Sequence, residues 1–322
     1  SFFFGFRKSN GRYIIWMDDD NYLLPRELSE LSQIIQTTGA DIASGENIHY
    51  TGMNHPIKNM RNSLIIRKRL FSGKLRKVDP AGVIKRIFDI PPKEKHDPAS
   101  FGFSHTAVKK ELILKLLLRM KEINFGSTGS HTLRVGLIAL AEKIYHKDSP
   151  FEIVAQFGTS MSDVWPRPFS KINRQEFQFR LSPVTGNTYI NYRNENHLLI
   201  KKILKDELAP FKIDTINFLK TYRRELMYLK LNIIDMLSKW FELLRILPEL
   251  KTFKYFFSAI LIKVLRAAGV FTMIQAMLND SRKSKEQIII RLDQYGVRNI
   301  QECAEKLPEI IKEEIPILSK FF

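Results

Sequence analysis

The stretch "YIIWMDDDNYLLP", residues 13 to 25, decides how this chain is read. "RYIIWM" (12–17) is a short apolar run rich in β-branched and aromatic residues, which predicts a buried strand. The run ends in Asp18, Asp19 and Asp20. Adjacent like charges repel and are poorly suited to burial, so the triplet is either a solvated turn or a holder of something positive. On a strand, side chains at i and i+2 share a face. A strand continued through the triplet would set Asp18 and Asp20 on one side and Asp19 on the other. Two carboxylates at the carboxyl end of a parallel strand stand where α/β sheets bind ligands. They are costly there unless a cation or a proton neutralises them. Hard oxygen donors suit Mg²⁺ or Mn²⁺, and such an ion can stabilise charge developing on a departing diphosphate. The plainer alternative is that one or more of the aspartates cap the helix that follows.

Outward from the triplet, "PRELSELSQIIQTT" predicts a helix with Pro25 at its first position and Gly39 as its stop. "ADIASG" (40–45) reads as the next strand. Strand, helix and strand at this spacing predict a βαβ unit and a parallel sheet. Residues 56–100 are basic and irregular. "TAVKKELILKLLLRMK" (106–121) and "HTLRVGLIALAEKIY" (131–145) read as helices, and "FEIVAQFG" (151–158) as a last strand. From about residue 195 the pattern changes to long amphipathic helices, over 213–247 and 253–269, with a small helical end piece at 284–307. The expected division is a partial α/β domain over 1–165, a linker over 166–195 and an α-helical region over 196–322.

The chain has 322 residues, which suggests about two domains. A hydrophobic content of 44% supports a packed core and excludes wholesale disorder. Fifty-one basic against 34 acidic side chains give a formal charge of +17. That excess points to an anionic partner: nucleic acid, a phosphorylated donor or an anionic membrane surface. The single cysteine, Cys303, excludes an internal disulfide framework and fits a reducing compartment. The opening "SFFFGFRKSNG" lacks a signal-peptide layout, and no window reaches the roughly 18 uncharged apolar residues of a membrane-spanning helix.

"SNGRYIIWMDDDNYLLPREL", followed by "GADIASG", resembles the centre of the family 2 glycosyltransferases, which have the GT-A fold. Ser9, Gly11 and Tyr13 match the family's small-x-Gly-x-Tyr lead-in, and Asp18 and Asp20 match its D-x-D motif. The resemblance implies a GT-A-like α/β fold with a mostly parallel sheet, followed here by an α-helical C-terminal domain. It implies transfer of a hexose-like sugar from a nucleotide-sugar donor, with inversion, to a glycan or lipid-linked acceptor. Mn²⁺ or Mg²⁺ would be held by Asp18 and Asp20, and Asp18, Asp19 and Gly11 would lie on the donor side. The match begins in the middle of the family's domain. The resemblance therefore implies an N-terminally truncated fragment, without the first half-sheet and its base-binding aspartate, inactive alone and prone to associate.

Inverting transfer needs a general base for the acceptor hydroxyl. Family members often supply an acidic pair at a helix start. The corresponding stretch here, "FGSTGSHTLRVGLIALA" (125–141), has no acidic residue before Glu142. His131 stands in that place, and an imidazole with an ordinary pKa of about 6.5 suits base chemistry. His105, in "PASFGFSHTAVKKELI", is the second candidate. Trp165 could stack on a sugar, or simply pack beside Pro166. Arg67, Lys68, Arg69, Lys74, Arg76 and Lys77 could touch a diphosphate or lipid phosphate, or form a solvated face. The C-terminal helices, with Trp240 and Phe241, either bundle together or lie on a membrane surface. The expected location is cytoplasmic, peripheral to the cytoplasmic face of the membrane if those helices bind it. Two competing readings are a non-catalytic scaffold, suggested by the missing acidic base, and a basic nucleic-acid-binding protein. Against the latter, no nucleic-acid motif occurs and aromatics are not interleaved with the basic runs, so no nucleic-acid partner is expected.

Overall fold

A computed structural model describes residues 5–6, 8–17, 20–55, 58–67, 72–89, 106–120, 129–156, 181–185, 189–228, 233–246 and 287–321. Among these, the strands are β1 (Tyr13–Ile15), β2 (Tyr22–Leu23), β3 (Ile42–Thr51), β4 (Ser63–Arg67), β5 (Leu75–Val78), β6 (Thr106–Lys109), β7 (Ile144–Gln156) and β8 (Gln287–Arg291). The main helices are α1 (Glu27–Thr38), α2 (Pro80–Phe88), α3 (Lys110–Met120), α4 (Gly129–Leu140), α5 (Tyr189–Ile203), α6 (Thr215–Tyr228), α7 (Ile233–Ile246) and α8 (Ile300–Glu314).

All eight strands form one mixed sheet around a parallel spine, β3 beside β7. Each spine strand changes its outer partner along its length. β3 pairs with β6 at Ile42–Ser44 and with β4 at His49–Thr51. β7 pairs with β5 at Ile144–Lys147 and with β2 at Glu152–Ile153. The spine's register shifts between Ser44 and Glu46 and again between Glu46 and Asn47, at the point where the partners change. β1 lies outside β6, and β8 outside β4.

The fold is thus GT-A-like α/β, but the expected predominance of parallel pairs is not found among the described strands. Only β3–β7 is parallel; the other pairings are antiparallel. The reason lies in the βαβ unit itself. β1 and β3 do run the same way, but β6 enters between them antiparallel to both. The sequence puts β6 in "TAVK", read above as the start of a helix. Its β-branched Thr106 and Val108 are buried between two strands, and the helix α3 begins only at Lys110.

Helices cover both sides. Leu31 and Ile34 of α1 pack with Ala40, Ala43, Ala107 and Phe151. Burying such a side chain contributes roughly 1.5–3 kcal/mol. α1 starts at Glu27 rather than Pro25, with Pro25 and Arg26 in a turn, and ends at Gly39 in the left-handed conformation (φ 63°) that favours glycine. A larger cluster joins α2, α3, α4 and α5 to the β6 end of the sheet through Phe88, Val108, Leu116, Ile138 and Ile200. Asp79 caps α2 by accepting from the amides of Ala81 (3.1 Å) and Gly82 (2.9 Å). The basic stretch read as irregular therefore holds β4, β5 and α2; Lys68 and Arg69 fall outside the described residues.

In the C-terminal region α6 and α7 fall within the stretch expected to be helical over 213–247. α6 and α7 bury Phe218, Tyr222 and Leu243 with Ile190 of α5. The end piece, however, opens with a strand: "QIIIR" forms β8 on β4, and α8 packs Cys303, Leu307 and Ile311 on Ile48, Leu64 and Ile153. The run of isoleucines favours a strand over a helix. α5 begins at Tyr189, inside the stretch expected as linker. No helix among the described residues is long and apolar enough to cross a membrane. The helix expected at 253–269 lies outside them, as does Trp165. Trp240 is buried while its neighbour Phe241 is exposed.

Candidate functional site

β1 ends at Ile15, so the alternation of side chains on a strand does not govern the aspartates. Asp18 and Asp19 lie outside the described residues; Asp20 sits in a turn, partly exposed. Asn21 follows it, and its amide nitrogen donates to Glu152 Oε1 at 2.8 Å. Tyr22 and Leu23 then pair with β7. Residues 16–21 thus connect opposite flanks of the β6–β3–β7 strip, because β1 lies outside β6 and β2 outside β7. Asp20 does not cap α1: β2 separates the two, and the cap residue Arg26 makes no side-chain capping bond. Gly11 precedes β1, where a Cβ would meet the Tyr13 carbonyl oxygen at 2.9 Å. Tyr13 fixes the lead-in by donating from its hydroxyl to the Ala40 carbonyl at 2.7 Å.

His131 falls in the first turn of α4, a helix start as expected, though its side chain is not among those described. His105 lies outside the described residues, immediately before β6. The chain register Ile15–Ala107–Ala43–Tyr145 runs straight across β1, β6, β3 and β7. The next residues along the spine are Ser44 and His146, which pair with each other.

There the sheet holds a buried polar cluster that sequence reading missed. His146 Nε2 lies 2.9 Å from Glu46 Oε1 and 3.8 Å from Asp148 Oδ1, and His146 Nδ1 lies 2.9 Å from Ser44 Oγ. A carboxylate only accepts, so Nε2 carries a proton; in the neutral ring Nδ1 then accepts from the Ser44 hydroxyl. Asp148 is held from the other side by the Arg76 guanidinium and by the Ser72 hydroxyl, which donates to Oδ2 at 2.6 Å. Arg76, one of the cations that could touch a phosphate or form a solvated face, is thereby paired with a carboxylate. Glu46, His146 and Asp148 each offer a ligand atom, all within 4.8 Å of one another, a nitrogen–oxygen set that could hold a metal ion. To do so, Nε2 must lose its proton and Asp148 must loosen its existing partners.

A second buried acid lies beside the aspartate turn. Glu27, the first residue of α1, is 1% exposed. Burial first, and then the neighbouring Glu152 carboxylate, push its pKa up to about 9, with the Leu24 amide pulling weakly the other way. The signal in sequence was an acidic side chain placed between Leu24 and Leu31 and invisible to a periodicity count, since first-turn acids on helices are common.

A mixed sheet with a parallel spine and an antiparallel strand inserted beside it defines a GT-A-like α/β fold. Residues 1–88 are similar to the family model described as glycosyl transferase family 2. No curated protein matches the chain. The match covers β1 through α2 and includes the whole aspartate turn and both Glu27 and Glu46.

Proposed function

We propose that the chain acts as a metal-dependent inverting glycosyltransferase, moving a sugar from a nucleotide-diphosphate donor to a hydroxyl of a glycan or lipid-linked acceptor. The observation that carries this reading is the position of Asp20. It stands partly exposed in a turn beyond β1, inside the family-matching segment, and is anchored to the spine through Asn21 and Glu152. Asp20, with Asp18, would hold Mn²⁺ or Mg²⁺, and Asp19 and Gly11 would lie against the donor. When bound, the ion neutralises the diphosphate leaving group. His131, or else His105, takes the proton of the acceptor hydroxyl as its oxygen bonds to the anomeric carbon. The carbon–phosphate-oxygen bond breaks with its electron pair passing to the diphosphate. The basic excess favours an anionic donor, and the exposed Phe241 on α7 supports peripheral contact with the cytoplasmic face of a membrane.

The test is release of nucleoside diphosphate from a panel of nucleotide sugars, with and without Mn²⁺. Asp20→Ala should abolish the Mn²⁺-stimulated rate while leaving circular dichroism unchanged. Equal metal-stimulated rates in variant and parent would refute the assignment, and a parent with no rate on any donor would favour the scaffold reading.

A further inference from the structure

We infer that Asn21 and Glu152 are positioning residues for the metal centre: the bond between them sets how tightly the aspartate turn holds its divalent cation, although neither side chain ligates the ion. This role rests on the transferase reading, which takes Asp20 as a metal ligand. Asp20 sits partly exposed in a turn, outside any strand. The next residue, Asn21, donates from Nδ2 to Glu152 Oε1 at 2.8 Å. Its other polar side-chain atom, Oδ1, has no hydrogen-bond partner among the described residues, so this one bond orients the side chain.

Glu152 is the fixed member of the pair. It lies on β7 with 0% exposure, flanked in sequence by the equally buried Phe151 and Ile153, and it pairs with Asn47 across the parallel spine. On its other side it faces Leu23 of β2. Asn21, two residues before Leu23, falls on the face that Leu23 and Glu152 share. That diagonal of an antiparallel pair is within reach of a long side chain. The backbone ties to β7 begin at Tyr22, in the two-residue β2, and continue with the Leu24 amide, which donates to the Phe151 carbonyl at 3.0 Å. Asn21 extends this anchorage to the residue beside Asp20. The less a turn must be ordered on taking an ion, the tighter it binds. An amide also suits the place chemically. A further carboxylate could not donate to an ionised Glu152, and an ammonium group would repel the cation.

The full chain is titrated with Mn²⁺ alone, and the free ion is followed by electron paramagnetic resonance, so binding is read without donor, acceptor or turnover. Asn21→Ala, which changes no charge, should weaken Mn²⁺ binding by about tenfold or more. Should that variant not fold, Asn21→Ser, too short to span the gap, takes its place. Glu152→Gln keeps an acceptor oxygen for Asn21 and should bind Mn²⁺ as the parent does. Glu152→Leu should weaken binding as Asn21→Ala does, and Asn21→Ala/Glu152→Leu should be no weaker than either alone, because both changes remove one bond. Asp79→Ala removes the cap of α2, so it should lower the melting temperature and leave Mn²⁺ binding unchanged, which separates positioning from loss of stability. If Asp20→Ala loses Mn²⁺ while Asn21→Ala keeps the parent's affinity, the positioning role alone is refuted. Loss in Glu152→Gln equal to that in Glu152→Leu also refutes it, since the carboxylate charge and not the bond would then matter. If Asp20→Ala binds as tightly as the parent, or the parent binds no Mn²⁺, the metal assignment falls and the positioning role with it.

Discussion

Glu27→Gln in chelated protein tests the burial of this acid by stability alone. The ordinary carboxyl value is 4.5, and burial beside Glu152 raises it to about 9. The folded chain therefore binds this proton more tightly than the unfolded chain does. The contribution is whole below the unfolded value and is lost as pH rises through about 9. Each pH decade is worth ~1.4 kcal/mol, so the full interval is worth several kcal/mol, with ~6 kcal/mol as its ceiling. Glutamine does not titrate and keeps the shape, so the variant is free of this slope. Urea unfolding of both chains, in EDTA at steps from pH 5 to pH 9, should show the variant gaining steadily on the parent as pH rises. Stability curves for the two chains that stay parallel across the range would refute the reasoning, since Glu27 would then titrate alike in both states.

Gly45→Ala should destabilise the fold by ~1–3 kcal/mol or more, because its Cβ would lie 2.3 Å from Cγ of the fully buried Phe151; the urea midpoint checks this. The Cys303 thiol, its pKa pushed up to about 12 by burial, should alkylate only as fast as the α8 region opens, and quickly in denaturant. His131→Ala should lower turnover by about 10² to 10⁴-fold with little change in donor affinity, measured as single-turnover rates against nucleoside-diphosphate titration; near-parent turnover moves the base to His105.

The elements near the aspartates were legible because local chemistry dictates them. Gly39 stops α1 in a conformation few other residues adopt, and β1 reads from its β-branched run. What the sequence hides is pairing at a distance. Nothing within "TAVK" states that it slips antiparallel between β1 and β3, and without that insertion the βαβ unit reads as a simple parallel sheet. Likewise "QIIIR" is claimed by β4 from more than two hundred residues away, where its neighbours read as helix. Of the candidate site, the aspartates were visible as a charge cluster against an apolar run. Glu27, Glu46, His146, Asp148 and Glu152 were not, because they are spread over three segments of the sequence, none of which marks its partners in the others. Glu46, His146 and Asp148 come together only when β3 and β7 lie side by side.

The spine also explains why the polar side chains gather where they do. A parallel pair of strands buried on both faces is expected to read as a near-continuous apolar run, yet β3 and β7 interrupt theirs with Ser44, Glu46, His146, Asp148 and Glu152. The interruption coincides with the register shifts at Ser44–Asn47 and with the exchange of β6 for β4 and of β5 for β2. Where a strand changes partner, backbone groups and side chains are turned off the regular ladder. Gly45 marks the spot, since only a residue without a side chain leaves room for the Phe151 ring. Apolar side chains alone could not satisfy the polar groups so exposed, whereas His146 bonds Ser44 and Glu46 across it, and Asp148 accepts from Arg76 and Ser72. The segment carrying Asp20 leaves β1 on one flank of this joint and enters β2 on the other, where Asn21 donates to Glu152 of β7.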